Sequence, residues 1–467
     1  MRKFWSKTAG LVLASVALLS ACGGGGGSGS VSTSTATTNL GAGCSSGIFA
    51  VGLFYANTQS PINTSLSLSP ILTGLPSGCA ASSASYSLAS GSLPTGVTLN
   101  ASTGVISGSP TAQGSFPFSV RVVVVGYTGS GTSAQRTITV TPPPPAAVVW
   151  TPKVANINLS VSSTSLRDYK IATIGDNLYA VVSNLIPGGS HTVSISRSLD
   201  GGTTWGAGVA LPNQSLRAFG VTSDGTSVYI VGGVTSLNGV VPATFSNSVW
   251  KYNPGGFGWQ NVTTALWPSG GRESPAVAYS AGKLYAYGGV DAAGIYDGVF
   301  TSTDSGSSWS NVNLGTSYNL VRHCLVANGT DLYSFGGRGF TPTDPPLAPS
   351  AEQKVILKST DSGATWNLIN STAINFPLGG SCAAIGTKLY YAGGATEATP
   401  NQFSVTNAVL QSSNGGTNWF LDAASSVFSF RAFHGMTVRL NKLIVLGGFG
   451  DTTATYRTDV IEGTPQP

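Results

Sequence analysis

Arginine is the residue type whose spacing in this sequence invites a chemical reading. Arg217, Arg272, Arg322 and Arg431 each stand about 15 residues before a Gly-Gly pair, and Arg167 stands equally far before Val182 and Ser183. A guanidinium is a rigid fork of donors suited to a carboxylate or a phosphate. Five of them around one opening would form a pocket for an acidic ligand, such as a sialic or uronic acid. The alternative is structural: each arginine bonds carbonyls of the next repeat or pairs with Asp and Glu, and this is the expected role. Asp168, Tyr169, Glu273 and His323 adjoin these arginines, so Glu273 and His323 join the candidate ligand-binding set. Glu273 and Glu352 are the glutamates placed for acid–base work. His191, His323 and His434 are not at metal-ligand spacing on one element, and the cysteines form no CxxC pair. No metal and no cofactor are therefore expected.

The arginines recur because the chain repeats. Trp150, Trp205, Trp259, Trp309, Trp366 and Trp419 are separated by 55, 54, 50, 57 and 53 residues. A period in that range marks a repeat architecture. The glycine pairs keep the same phase: Gly232 and Gly233, Gly288 and Gly289, Gly336 and Gly337, Gly393 and Gly394, and Gly447 and Gly448. Leu378 is the one exception to the arginine marker. Each unit carries four strand-like segments and no helical periodicity, which predicts an all-β, six-bladed β-propeller over 148–467 with four antiparallel strands per blade. After Gly448 the chain supplies one more third strand, Asp459 to Glu462, and stops. The segment from Val149 to Ile157 then has to complete the sixth blade, closing the ring and covering two strand edges.

The glycine pair, the upstream arginine and the run from Tyr252-Asn253-Pro254 to Trp259 resemble kelch-type propellers. Three turns resemble the Asp-box hairpins of sialidases and other propellers: Ser198, Asp200, Gly202, Thr204 and Trp205; Ser302, Asp304, Gly306, Ser308 and Trp309; and Ser359, Asp361, Gly363, Thr365 and Trp366. Ser412, Asn414, Gly416 and Trp419 are a worn copy. Such boxes stabilise their own turn, through carboxylate bonds to local backbone and a glycine at positive φ, so a structural role is expected. His323 and His434 hold equivalent places ahead of their glycine pairs, and the kelch resemblance implies that both are structural. Upstream, Leu93 to Val122 is similar to an Ig-like module of bacterial surface proteins, with Gly96, Gly104, Gly108, Pro110 and Gly114 at its turns. That resemblance implies an N-terminal Ig-like β-sandwich over 44–141 acting as a spacer. Pro142 to Pro145 then form a stiff linker within 142–147.

Residues 1–22 read as a signal peptide. Arg2, Lys3 and Lys7 precede the apolar stretch Leu11 to Leu19, which is too short to span a bilayer. Leu19-Ser20-Ala21-Cys22 resembles the lipobox of bacterial lipoproteins, with Cys22 as the lipidated residue, and 23–43 is a Gly/Ser/Thr tether. Removing the three bases leaves 19 basic against 17 acidic side chains, a net of +2. That balance gives no reason to expect nucleic acid as a partner. Gly23 after the cysteine resembles outer-membrane sorting, with the chain held to the membrane by its lipid alone and facing the periplasm or the medium. A monomer is expected. In an oxidising compartment Cys44 and Cys79 are expected to pair, and Cys324 with Cys382 is either a second disulfide or two buried thiols. The leading expectation is a surface-anchored binding or adhesion module for a glycan or a protein. The competing one is an enzyme acting on an acidic sugar, a sialidase or a sialic acid mutarotase of the kelch type. Sialidase chemistry would need an arginine triad, a tyrosine nucleophile activated by Glu and an aspartic acid, and the FRIP-like motif is missing.

Overall fold

The computed structural model describes residues 51–74, 84–124, 130–143, 145–154, 157, 167–185, 191–235, 244–312, 319–339, 356–370, 376–399, 402–422, 427–450 and 456–466. Cys22, Cys44, Cys79 and Glu352 lie outside these residues, as does the tether. The described residues are strand and turn, and no helix among them is long and apolar enough to cross a membrane. Two compact units divide the chain at Pro143 and Pro144.

In the first unit, Thr58–Pro61, Arg136–Thr141, Gly114–Val124 and Ala84–Gly91 pair in that order, and Leu66–Leu68, Ile106–Gly108 and Val97–Leu99 form another sheet. Gly114–Val124 alternates with period two. Phe118, Val120 and Val122 are fully buried, while Arg121 and Val123 face out. The glycines of the Ig-like pattern all take positive φ, from 72° at Gly104 to 147° at Gly114. At Gly104 a Cβ would also strike the Tyr86 ring, and its carbonyl accepts the Tyr55 hydroxyl at 2.6 Å.

The second unit contains six four-stranded antiparallel sheets. Their first strands are Arg167–Ile174, Gly220–Ser223, Ala276–Ser280, Cys324–Asn328, Ser381–Ile385 and Gly435–Arg439, and they define blades 1 to 6. Each first strand touches the next, and that of blade 6 touches that of blade 1, so the cycle closes. Val149–Val154 pairs with Tyr456–Thr464 of blade 6, from Val149 opposite Thr464 to Val154 opposite Val460. The N-terminal strand therefore supplies the missing outer strand. Glu462, almost buried, bonds Lys153 of that strand at 3.2 Å and Lys442 at 2.7 Å.

The hydrophobic core is divided into one apolar cluster per interface between neighbouring blades. Second strands are covered on both faces, which is why they read as continuous apolar runs instead of alternating. Val228-Tyr229-Ile230-Val231 and Leu443-Ile444-Val445-Leu446 are buried at every residue. The glycine pair ends these strands because both of its residues need positive φ, for example 64° and 108° at Gly232 and Gly233. The turn also delivers a backbone bond to the next blade: Gly233 N–H donates to Arg272 O, Gly289 N–H to Leu320 O and Gly394 N–H to Arg431 O, at 2.8 to 3.0 Å. Blade 1 lacks the pair, and its second strand continues straight through Asn177–Leu185. Ser183, in the place of the second glycine, makes the same link with its side chain, donating Oγ–H to Leu216 O at 2.6 Å.

Candidate functional site

Each first strand begins at the same end of its blade, so the segments before them line one mouth of the channel that the first strands enclose. The arginines do not share one position there. Counted back from the first glycine of the pair, Arg272 and Arg431 stand 16 residues before it, Arg167 and Arg217 stand 15 before the matching residue, and Arg322 stands 14 before. One residue of register turns a side chain to the other face of an extended segment, so these three positions have different surroundings.

Arg431 and Arg272 turn inward. Arg431 is fully buried and makes a two-pronged ion pair with Asp459, Nη2 to Oδ2 at 2.8 Å and Nη1 to Oδ1 at 3.1 Å. It also donates to Gly447 O and to the carbonyl and hydroxyl of Ser429. Burial pushes its pKa down, and Asp459 opposes that shift. Arg272, 4% exposed, donates Nη1 to Gly288 O at 3.2 Å and lies among the rings of Trp267, Tyr296 and Phe300. Arg217 is exposed at the end of a two-residue strand. Arg167 opens the first strand of blade 1, opposite Asn184. Leu378, the exception in blade 5, is buried and bridges Ala395, as Glu273 bridges Val290.

The register position that Arg322 occupies in blade 4 forms the rim. Ala218, Ser274, Arg322, Gly379 and Phe433 all take left-handed φ, between 52° and 67°, and Asp168 holds the place in blade 1. Ser274 N–H donates to Ala218 O at 2.6 Å, Gly379 N–H to Arg322 O at 2.9 Å and Phe433 N–H to Gly379 O at 2.7 Å. Ala218 N–H donates to the Asp168 carboxylate. These bonds pass from blade to blade around the mouth. Side chains from blades 4 and 6, which are not neighbours, meet there: Arg322 Cζ lies 5.7 Å from the Phe433 ring centroid. Phe433 rests on Gly379 of blade 5, where a Cβ would collide with its Cε1. Lys170, on the same strand as Asp168, has its pKa lowered by burial against the opposing pull of Asp168.

The histidines lie buried inside the blades. His323 and His434 are buried with both ring nitrogens unbonded among the described residues, and each ring sits against the first glycine of the preceding blade, Gly288 or Gly393. Burial lowers the pKa of His323 to about 3 and that of His434 well below the ordinary value. His191 is tied through Nδ1 to Ser183 Oγ at 3.1 Å. Since Ser183 gives its proton to Leu216 O, Nδ1 is the donor and Nε2 carries the lone pair in the neutral ring.

The S-x-D-x-G hairpins lie at the opposite end of the blades. In the first, Ser198 and Thr204 hydroxyls both donate to Asp200, and Trp205 Nε1 donates to Gly202 O at 3.1 Å. The hairpins at Asp304 and Asp361 repeat these bonds, and Asn414 makes its share of them. The bonds from Thr204, Ser308 and Thr365 hold the three aspartates at pKa values of about 2, and their carboxylates act as turn acceptors. The tyrosine that comes nearest to a nucleophile–carboxylate pair is Tyr296, which donates to Asp291 at 2.6 Å. Burial and that bond raise its pKa, so the phenol stays protonated.

Cys324 and Cys382 form a disulfide between the first strands of blades 4 and 5, just below the Arg322–Gly379 bond. Ala218, Ser274, Gly379 and Phe433 are the rim residues that the arginine marker passes over. Applying the Arg322 spacing to every first glycine brings Gly379 and Phe433 into line with it.

Fold and site together define an Ig-like domain followed by a β-propeller with kelch character. Residues 50–142 match the He_PIG family of Ig domains, and residues 215–264, which include blade 2, match the Kelch motif. A xyloglucanase of Paenibacillus sp is 30% identical over 174 residues, 33% of this chain. The chain spans about 15% of the length of that curated relative. Among solved structures, that of YjhT superposes with a TM-score of 0.53 at 17% identity, covering 66% of this chain and 99% of its own. At that identity the likeness concerns the fold alone.

Proposed function

We propose that the chain is an exported lipoprotein, anchored through Cys22, whose propeller is a carbohydrate-binding module with its site at the channel mouth. The observation that carries this reading is the meeting of Arg322 and Phe433 over Gly379. A partly exposed aromatic face is a platform for the C–H face of a sugar ring, and the guanidinium beside it supplies donors for hydroxyls or a carboxylate. Asp168, in blade 1 next to the blade of Phe433, supplies an acceptor. The similarity of one segment to a xyloglucanase supports a polysaccharide over a protein ligand. Nothing in this site requires turnover, and the tyrosine most like a nucleophile is held protonated.

The test is an array of neutral and uronate-containing glycans, xyloglucan included, probed with the mature chain and with Phe433→Ala and Arg322→Ala. Phe433→Ala is expected to weaken binding at least about tenfold on every recognised glycan, the loss of roughly 1.4 kcal/mol. Arg322→Ala should weaken acidic glycans most. A wild-type chain that binds no glycan overturns the carbohydrate reading and leaves a protein-binding module. Release of reducing ends from a bound glycan would convert the module into an enzyme. Mass spectrometry of the mature N-terminus checks the lipid on Cys22.

A further inference from the structure

The two arginines at the same register position differ in one respect. Arg431 is neutralised by Asp459, the residue just before Val460 of the third strand of blade 6, and Val460 lies opposite Leu446. In blade 3 the corresponding pair is Val299 opposite Tyr287, so the place of Asp459 falls to Gly298. Both arginines make the same bond to the first glycine of their own blade, Gly288 O or Gly447 O. Arg272 alone then lacks a carboxylate at hydrogen-bond distance. Its Nε is buried without a partner, and it takes part in no ion pair among the described residues. Asp291, one of the nearby carboxylates, is occupied by the Tyr296 hydroxyl and by the N–H groups of Ala293 and Gly294. Asp297 also acts on Arg272, without an ion pair among the described residues.

A buried guanidinium without a carboxylate at hydrogen-bond distance is costly, and removing water strengthens its pull on any anion that reaches it. We propose that Arg272 is the anchor of a second site, between blades 2 and 3, which takes the carboxylate of a uronate-type ligand in the way that Arg431 takes Asp459. Tyr296, half-buried and with its ring centroid 3.8 Å from Arg272 Cζ, forms an apolar wall for the sugar ring that carries the carboxylate. The site is separate from the rim and does not depend on glycan binding there. Burial pushes the Arg272 pKa down to about 10, in keeping with a cation short of a partner, and leaves it charged at neutral pH.

Thermal unfolding of the full chain in sodium glucuronate, against glucose and sodium chloride at matched ionic strength, tests the proposal. Wild type is expected to show a saturable rise in Tm of a few degrees with glucuronate only. Gly298→Asp supplies the carboxylate internally, as blade 6 does. A Cβ there stands 3.0 Å from Phe300 Cε2, so that ring has only to shift slightly. This variant should start at a higher Tm and, combined with Arg322→Ala to remove the rim's carboxylate donor, lose the glucuronate response. Arg272→Lys combined with Arg322→Ala should lose the response too, while Arg322→Ala alone keeps the part owed to Arg272. A response that survives in Gly298→Asp combined with Arg322→Ala, or no saturable response in Arg322→Ala alone, overturns the proposal. Asp297→Asn identifies Asp297 as the internal partner, and equally overturns it, if this change lowers the Tm without ligand and wild type ignores glucuronate.

Discussion

Replacing Asp459 by alanine puts the structural reading of the buried arginines to a quantitative test. Arg431 would keep its bonds to Gly447 and Ser429 but would lose both prongs of its ion pair at a guanidinium with no exposed surface. Removing one partner of a buried pair costs about 3–5 kcal/mol, because the remaining charge is left desolvated. Asp459 itself is 20% exposed, so water can reach part of the gap and the lower end of that range, about 3 kcal/mol, applies. At about 2.1 cal/mol/K of unfolding entropy per residue, a unit of about 320 residues shifts by about 1.5 °C per kcal/mol, so Tm should fall by roughly 4–5 °C. Differential scanning calorimetry of the full chain, following the propeller transition, measures it. The pair itself is a different quantity. Arg431→Met combined with Asp459→Leu removes both charges together and should return to within about 1–2 kcal/mol of wild type. A single variant that loses less than about 1 kcal/mol, or a double variant no better than the single, would refute the argument that burial makes the lone charge expensive.

Three further outcomes follow from the blades. Gly379→Ala places a Cβ against Phe433 at a φ of 67°, so it should cost about 1–2 kcal/mol and abolish glycan binding at the rim, read by calorimetry and by the array. His323 and His434 fold neutral with pKa values below that of the unfolded chain, so the unfolded state binds more protons as pH falls below about 6.5. Stability should therefore drop by up to about 1.4 kcal/mol per pH unit for each between pH 6.5 and 5; burial depresses His191 in the same direction, so His323→Phe should remove the share of His323 and leave the rest of the slope in urea titrations. The aspartates at about 2 add stability that is lost only below their unfolded value of 3.8, outside that window. Replacing Cys324 and Cys382 by alanine opens a loop of 58 residues, for which chain entropy sets a ceiling of about 4 kcal/mol. The loss in denaturant titration should approach but not exceed that figure.

The architecture is legible because its causes are periodic. Tryptophans, glycine pairs and doubly covered second strands repeat with the blade, and the ring closure follows from counting strands. The arginines are legible only as a set. An approximate spacing merges three adjacent register positions, and a shift of one or two places separates the bonded interior of Arg431 from the rim position of Arg322. The exception in blade 1 is invisible to a glycine count, because Ser183 achieves with a hydroxyl what the other blades do with backbone. Gly379 and Phe433 escape a reading of the sequence for a different reason. They act by shape and backbone angle, which carry no chemical signature until the blades are superposed in register. The small hairpins between second and third strands start directly after the glycine pair in blades 2, 3 and 5, at Val234, Val290 and Ala395, but they differ in length and composition and come only from the structure.

The closing strand has a consequence for how this chain comes to exist. Val149–Val154 is synthesised before any blade, and its partner Tyr456–Thr464 is synthesised after all the others. Until that partner is present, the first strand has nothing to pair with and blade 6 shows a bare edge. The contact with the longest sequence separation is thus also the one that completes the fold, and such contacts form slowly. Under the export proposed above, a chain of this design crosses its membrane with the ring open and becomes a finished object in one late step. A product that lacks this final strand should reveal itself to proteases as a whole propeller, since its loss leaves all six blades without closure.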